Sequence, residues 1–596
     1  MKPAAPVSAP AGGLDAAIAH HQAGRLEPAL AIYRALRARL PRDPRLLHLG
    51  GLALLQLERA EESVSWLETA VAVAPRSGST WMCLGVALGR LGRAEAAEKA
   101  LRRAVEVEPS NGEAWTNLGL ALGRSGKGVD ALAALRRGAE ARPRDPSGWL
   151  SLGQYLLSTG RPAEALVALG RAGAQPGAAA ARAACHHALG DMEAAYAAFS
   201  EELSRNPADA VSASQRLLVM HYFDRLTVEE LTRAHCEYGA ALRARLGPPA
   251  MLAPRPASSG PLRLGFFSPD LRDHAVARFL EPLLPAVAEA GCEIFLYHNH
   301  PNEDAVSARL CARAALWRNL AGLSDEAAAR QIRADAPDVM VDLAGHTGHA
   351  RPGIFARRVA PVQINYLGYP NGTGLDTMDY RFTDAIADPP GAADTHAVEK
   401  LVRFSSCAWC YLAPENLPEP VPPPASLDAG RPVVFGSFNH LGKLSPDTWA
   451  LWSRVLDAVP GSVLLLKGTP PGSEWLGQRT SSAGIDPARV KLLPFAPSRS
   501  DHFAAYGQVD IALDPVPYHG TTTTCEALWM GRPVIALAGD RHVRRVGASL
   551  LTAVGAGDLV AGTPENYVEI AVRLASDRAA LARRCAGLRG ALKISP

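Results

Sequence analysis

With 596 residues, 62 Lys+Arg against 59 Asp+Glu and 48% hydrophobic content, the chain is globular and too long for one core; it predicts roughly two to four domains. Its net charge of +3 lies too close to balance to point to nucleic acid or a membrane surface, and no run of about 18 apolar residues is present to span a bilayer. The nine cysteines are scattered and odd in number, as free thiols of a reducing compartment are; Cys407 and Cys410 form a C-x-x-C with no second pair at zinc spacing.

Residues 1–13, MKPAAPVSAPAGG, lack the apolar core of a signal peptide and read as a disordered tail on a cytoplasmic protein. Residues 14–210 are periodic. Pro41, Pro75, Pro109 and Pro143 recur every 34 residues, and Trp81, Trp115 and Trp149 keep the same step, as do Gly51, Gly85, Gly119 and Gly153. Gly24, Gly92, Gly126 and Gly160 mark another phase, with Glu58 in the slot between the first two. A helix–turn–helix unit of this period is the tetratricopeptide pattern. The register slips between Gly160 and Gly190, 30 residues apart, which predicts a shortened repeat near 175–190. Such arrays stack into a superhelix whose concave face captures a protein or peptide; a scaffold without a client satisfies the same pattern.

Residues 211–260 read as a helical connector and a linker rich in Pro, Ala and Ser. Strand-like segments follow at 262–267 (LRLGFF), 293–298 (EIFLYH), 338–343 (DVMVDL) and 362–368 (VQINYLG), alternating with helical stretches, so 261–413 predicts a first Rossmann-like lobe. Six prolines in 414–424 stiffen a hinge, taken as 414–430. The alternation restarts over 431–596 with VVFGSF, SVLLLKG, VKLLPF, VDIALD and PVIALAG, a second such lobe, which predicts ligand at the cleft between the strand ends. No G-x-G-x-x-G is present, against a dinucleotide dehydrogenase.

The stretch 518–531, YHGTTTTCEALWMG, follows the strand VDIALD. Thr521, Thr522, Thr523 and Thr524 offer N-cap hydroxyls to a helix over 525–530, and a helix N-terminus with unpaired N–H groups is a seat for a diphosphate. Glu526 stands in the first turn, within reach of a ribose hydroxyl. An ordinary capped helix accounts for the same residues.

The blocks VDLAGHTGHARPGIFARRVAPVQINYLGYPNGTG, DYRFTDAIADPP, FGSFNHLGKLSP and GTTTTCEALWMGRPVIALAGDRHVRRVGASLL follow one another after SPDLRDH. With the repeats before them, they make nearly the whole chain resemble the O-linked N-acetylglucosamine transferase family, including its SPINDLY-type members. The resemblance implies an α-solenoid of tetratricopeptide repeats followed by a two-lobed α/β GT-B glycosyltransferase. It implies inverting transfer of N-acetylglucosamine from UDP-GlcNAc to Ser/Thr of a protein acceptor bound along the repeats. GDP-fucose is the alternative donor, since GTTTTCE and LVRFSSCAWCY look SPINDLY-like, and a catalytically silent repeat scaffold is the alternative of another class.

Residue by residue, Lys443 matches the family's essential lysine, whose ammonium neutralises a departing diphosphate without metal. The absence of any D-x-D fits an enzyme with no metal or other cofactor. His274 matches a histidine proposed as base; the other role, orienting substrate through hydrogen bonds, stays open. Ala275 follows it where the family usually has proline. Thr522 and Thr523, with Thr521 beside them, match diphosphate contacts, Glu526 a ribose contact, and His502 a histidine near the base with Arg499 next to it. His346 implies a donor or acceptor contact. His440, a donor-binding candidate, stands where the family has an amide, a departure that bears on donor-sugar or phosphate recognition, and His519 is an unusual residue before Gly520. Along the inner repeat helices the family's asparagines become Leu49, Cys83, Asn117 and Ser151, a departure for peptide clasping. Relatives commonly continue beyond the final helix, read at about 577–592, which implies a C-terminal lobe packed less completely.

Overall fold

A computed structural model describes residues 13–256, 260–428, 430–468 and 474–595. The tail expected at 1–13 lies outside them except for Gly13. The chain divides into two compact units, one up to Cys185 and one from His186 onward.

The first unit is built of helix pairs, Pro44–Gln56 with Ala60–Val73, Gly78–Arg90 with Ala94–Val107, Gly112–Arg124 with Gly128–Ala141, and Pro146–Ser158 with Pro162–Ala172. Each phase of the sequence period has its own physical cause. Gly24, Gly92, Gly126 and Gly160 close the turns with φ of 72–74°, and Glu58 takes the same left-handed geometry at 60°. At Gly51, Gly85, Gly119 and Gly153 a Cβ would lie 2.5–2.6 Å from Leu67, Leu101, Leu135 and Leu169, so glycine lets the two helices of a pair touch. Trp81, Trp115 and Trp149 donate their indole N–H to the carbonyls of Pro75, Pro109 and Pro143 at 2.9–3.2 Å, tying tryptophan to proline.

The second unit starts upstream of the connector expected at 211. Leu217, Met220, Leu231, Tyr238 and Leu242, from the helices Ala210–Met220 and Val228–Leu246, share one core with Phe267, Tyr297, Met340 and Phe355 of the first α/β lobe, and Tyr196 packs on it. Burying these faces removes these two helices from the repeat series. One contact there is backbone on backbone: a Cβ on Gly239 would lie 1.9 Å from the Gly374 carbonyl oxygen. Gly239→Ala therefore costs about 1–3 kcal/mol of overpacking. The expected reading is a lowered melting temperature; an unchanged one overturns this packing.

Thirteen strands follow among the described residues: β1 (Arg263–Ser268), β2 (Glu293–His298), β3 (Leu316–Asn319), β4 (Val339–Asp342), β5 (Val362–Asn365), β6 (Tyr380–Asp384), β7 (Lys400–Phe404), β8 (Val434–Ser437), β9 (Val463–Lys467), β10 (Val490–Leu493), β11 (Ile511–Leu513), β12 (Val534–Leu537) and β13 (Val560–Ala561). The first sheet has the order β3-β2-β1-β4-β5-β6-β7 and the second β10-β9-β8-β11-β12-β13. Every pairing is parallel. Both are doubly wound Rossmann sheets, so the expected two-lobed GT-B architecture is present. In each, the strand order reverses between the first and fourth strands, and the crevice beyond that point is where such folds hold ligands. β3, β6, β7 and β13 were not anticipated as strands. Among the described residues no helix is long and apolar enough to cross a membrane.

Candidate active site

In the second lobe the reversal falls between β8 and β11. The loop after β8 carries Asn439, His440 and the 3₁₀ turn Leu441–Lys443; the loop after β11 carries Asp514, His519 and Gly520 into the helix Thr522–Trp529. Lys443 Nζ donates to the His519 carbonyl at 2.8 Å and lies 3.5 Å from Asn439 Oδ1, which also accepts from Thr523 Oγ1 at 2.9 Å. The Tyr518 ring lies 4.3 Å beneath the ammonium. Asn439 thus joins the cation to the helix start, a link unread in the sequence although it stands inside the FNHLGK block.

Asp514 is fully buried; one carboxylate oxygen accepts from Gly520 N at 2.7 Å and the other has no hydrogen-bond partner. Burial raises its pKa to about 7, against the Gly520 N–H and the Lys443 charge. Burial likewise lowers Lys443 to about 8, against the attraction of Asp514. His519 is a core residue: Nε2 bonds the Leu537 carbonyl at 3.1 Å, Nδ1 accepts from Gly547 N at 3.2 Å, and burial pushes its pKa to about 3.

The threonine run differs from expectation. The helix begins at Thr522, and Thr521, at the N-cap, makes no side-chain capping bond. Thr523 is turned to Asn439, and Thr524 donates back to the Gly520 carbonyl at 3.1 Å. Because the hydroxyls are spent sideways, the N–H groups of the first turn stay available at the crevice.

Glu526, one turn into the helix, accepts from His502 Nε2 at 3.0 Å, while His502 Nδ1 contacts the Lys467 ammonium. Phe438 and Tyr506 pack nearby, their rings 4.5 Å apart, with His502 5.7 Å from Tyr506. Lys467 was missed; its signal was its place at the C-terminal end of the strand SVLLLKG, on the ligand side of a parallel sheet. Arg499, expected beside His502, reaches instead across the lobes to Asp273, which also accepts from Arg278 at 3.0 Å.

In the first lobe His274 follows β1, at the reversal between β1 and β4. It caps the helix Ala275–Leu280, its Nδ1 accepting from Val276 N at 3.3 Å, with Asp270 Oδ2 3.5 Å away. Burial lowers its pKa and Asp270 works against that. A neutral ring that accepts at Nδ1 carries its hydrogen on Nε2 and offers a donor there. His346, expected as a donor or acceptor contact, has both ring nitrogens bonded within the protein. It is fully buried, bonded to Ser214 Oγ at 2.7 Å and to the Thr373 carbonyl at 2.8 Å, and burial pushes its pKa to about 3. His440 is also spent within the protein: Nδ1 accepts from Gly442 N at 3.2 Å and the ring bonds the Ala188 backbone. An apolar cavity of about 650 Å³ between the first sheet and residues 283–290 lies away from these groups. Among the described residues no group of three or more His, Cys, Asp or Glu is placed to hold a metal ion.

Comparison with known proteins fits this geometry. Residues 248–409 and 428–590 match the model for glycosyl transferase family 41, more than half of the chain, and residues 84–146 and 117–181 match tetratricopeptide repeats. A tomato (Solanum lycopersicum) protein named as a probable UDP-N-acetylglucosamine–peptide N-acetylglucosaminyltransferase SPINDLY is 39% identical over 402 residues, covering 66% of this chain and 43% of its own length. A rice (Oryza sativa subsp. japonica) protein of the same name is 38% identical over 408 residues, covering 67% and 44%. The chain therefore spans less than half the length of these relatives. Among solved structures, a lysine-to-methionine mutant of the Thermobaculum terrenum O-GlcNAc transferase superposes with a TM-score of 0.65 at 31% identity, covering 87% of this chain and 93% of that one.

Proposed function

This chain belongs to glycosyl transferase family 41, and on that premise we propose that it transfers N-acetylglucosamine from UDP-GlcNAc to serine or threonine hydroxyls of a protein acceptor, with inversion at the anomeric carbon. The observation that carries this reading is the convergence of Lys443 and Thr523 on Asn439 at the β8/β11 crevice. An ammonium and a helix start aimed at one point suit a group that gains negative charge as it leaves.

The acceptor oxygen attacks the anomeric carbon from the face opposite UDP. The bond from that carbon to the diphosphate oxygen breaks, and its electron pair stays on UDP. Lys443 and the N–H groups of Thr522 and Thr523 balance that charge. Glu526 and His502 take the ribose and base, with Lys467 steadying His502. His274, offering Nε2–H, orients the reacting groups, and the acceptor's proton leaves through water or a donor phosphate oxygen. The tetratricopeptide superhelix holds the protein acceptor.

Calorimetric titration with UDP and, separately, GDP tests the reading. UDP is expected to bind at least about tenfold more tightly, a difference of about 1.4 kcal/mol. Tighter GDP binding replaces the donor with a GDP-sugar such as GDP-fucose, and binding of neither overturns the transferase reading.

A further inference from the structure

The Gly190 turn, where the repeat register slips, touches the loop that carries Lys443. Gly190 has φ of 82° and joins the helices that end at Leu189 and begin at Met192. A Cβ placed on it would lie 2.7 Å from Gly442 N and 3.0 Å from Gly442 Cα. From the other side, a Cβ on Gly442 would lie 2.9 Å from Gly190 Cα and 2.3 Å from the Met192 methyl. The His440 ring bonds the Ala188 backbone as well as Gly442 N. Residues 188, 190 and 192 therefore grip residues 440 and 442 by backbone and short side-chain contacts, with no room for a single added carbon. The gripped turn is stiff, because Lys443 N donates to the His440 carbonyl at 2.9 Å, closing it one residue from the grip.

We propose that the Gly190 turn is a positioning element for Lys443, seating the 3₁₀ turn Leu441–Lys443 through glycine-on-glycine contact. This rests on the role given to Lys443 above. Two observations meet in it. The first is the 30-residue step from Gly160 to Gly190, where the period elsewhere is 34; the helix Pro162–Ala172 has 11 residues where its counterpart Gly128–Ala141 has 14, and the shortened repeat ends at the Gly190 turn. The second is His440, which stands where the family has an amide and whose ring bonds the Ala188 backbone. Lys443 has a long, flexible stem, so its ammonium is placed only as well as the backbone beneath it, and a shift of about 1 Å at a reacting centre costs up to about 100-fold in rate.

The test compares the full-length parent with Gly190→Ala, Gly442→Ala, Met192→Ala and the double variant Gly442→Ala/Met192→Ala. Turnover with UDP-GlcNAc and an acceptor protein is measured below each variant's melting transition. The two glycine variants are expected to lose about tenfold or more in kcat with donor KM changed by less than about threefold. Truncating Met192 removes the tightest contact of the new methyl, so the double variant should regain about threefold in kcat over Gly442→Ala. Melting shifts of Gly190→Ala and Gly442→Ala, alone and together, should be non-additive, as for residues in contact.

Additive melting shifts overturn the contact. Glycine variants that melt early yet keep the parent's kcat overturn the positioning role, leaving the turn merely structural, and so does a double variant no faster than Gly442→Ala. A parent that binds no nucleotide and transfers nothing overturns the reading of the site, and the role of the turn with it; the melting cycle then still reports whether the contact exists.

Discussion

Lys443→Met is expected to lower kcat about 100- to 1,000-fold, the range seen when one preorganised charge-stabilising group is removed from a transition state. Methionine keeps most of the lysine stem's volume, so the Tyr518 ring stays covered and the loss is electrostatic. The UDP dissociation constant should rise less than kcat falls, because charge builds on the diphosphate as the bond breaks. A second readout comes from pH. Burial lowers the free lysine to about 8, and only the protonated form neutralises a leaving group. Parent kcat/KM, which reports the free enzyme, should therefore fall as pH rises through about 8. That limb should vanish in Lys443→Met. Retention of more than a tenth of parental kcat by the methionine variant removes Lys443 from the mechanism.

Much of this site is legible in the sequence because its parts sit at strand ends. VDIALD and VVFGSF are apolar runs legible as strands, and the threonine run after the first reads as a helix start. Lys443 is legible only through the family resemblance of the FNHLGK block, and the strand order that brings the two together belongs to the folded chain. The strands that escaped notice are short or polar. β6, YRFTD, buries Arg381 by pairing it with Asp388 at 2.7 Å, and only the folded chain supplies that partner. β13 has two residues, too few to show alternation. His346 misled for the same reason: its motif placed it correctly after β4, but Ser214, 132 residues earlier, takes its ring out of the crevice. Arg499 likewise follows a partner from the other lobe, Asp273. What local pattern cannot report is which polar neighbour a side chain finds across the fold, and that decides whether it serves a ligand or the protein. Glycine is the reverse case. Its period in the repeats was readable, while the reason for each one, a left-handed turn or a touching helix, needed distances.

Gly520→Ala should cost nearly as much as loss of the lysine, though by geometry alone. A Cβ there would lie 2.4 Å from Thr523 Oγ1, 2.8 Å from Thr524 Oγ1 and 3.1 Å from Asn439 Oδ1. Thr523 Oγ1 and Asn439 Oδ1 form the bridge that links the helix start to Lys443, and Gly520 N is also the partner that holds Asp514. The methyl meets ends of side chains and not backbone, so the fold can yield, at a cost of about 1–3 kcal/mol. What yields is the Thr523–Asn439 bond, and with it the aim of the first-turn N–H groups. A displacement of about 1 Å there is worth roughly 100-fold in kcat/KM. UDP affinity should drop as well, since the same groups meet the diphosphate in the ground state. In contrast to Lys443→Met, the alkaline limb near pH 8 should persist, because the ammonium remains. Full activity in a well-folded Gly520→Ala protein would mean that the diphosphate does not sit at this helix start, whatever Lys443 does. A variant that loses activity and keeps the limb separates the seat from the charge.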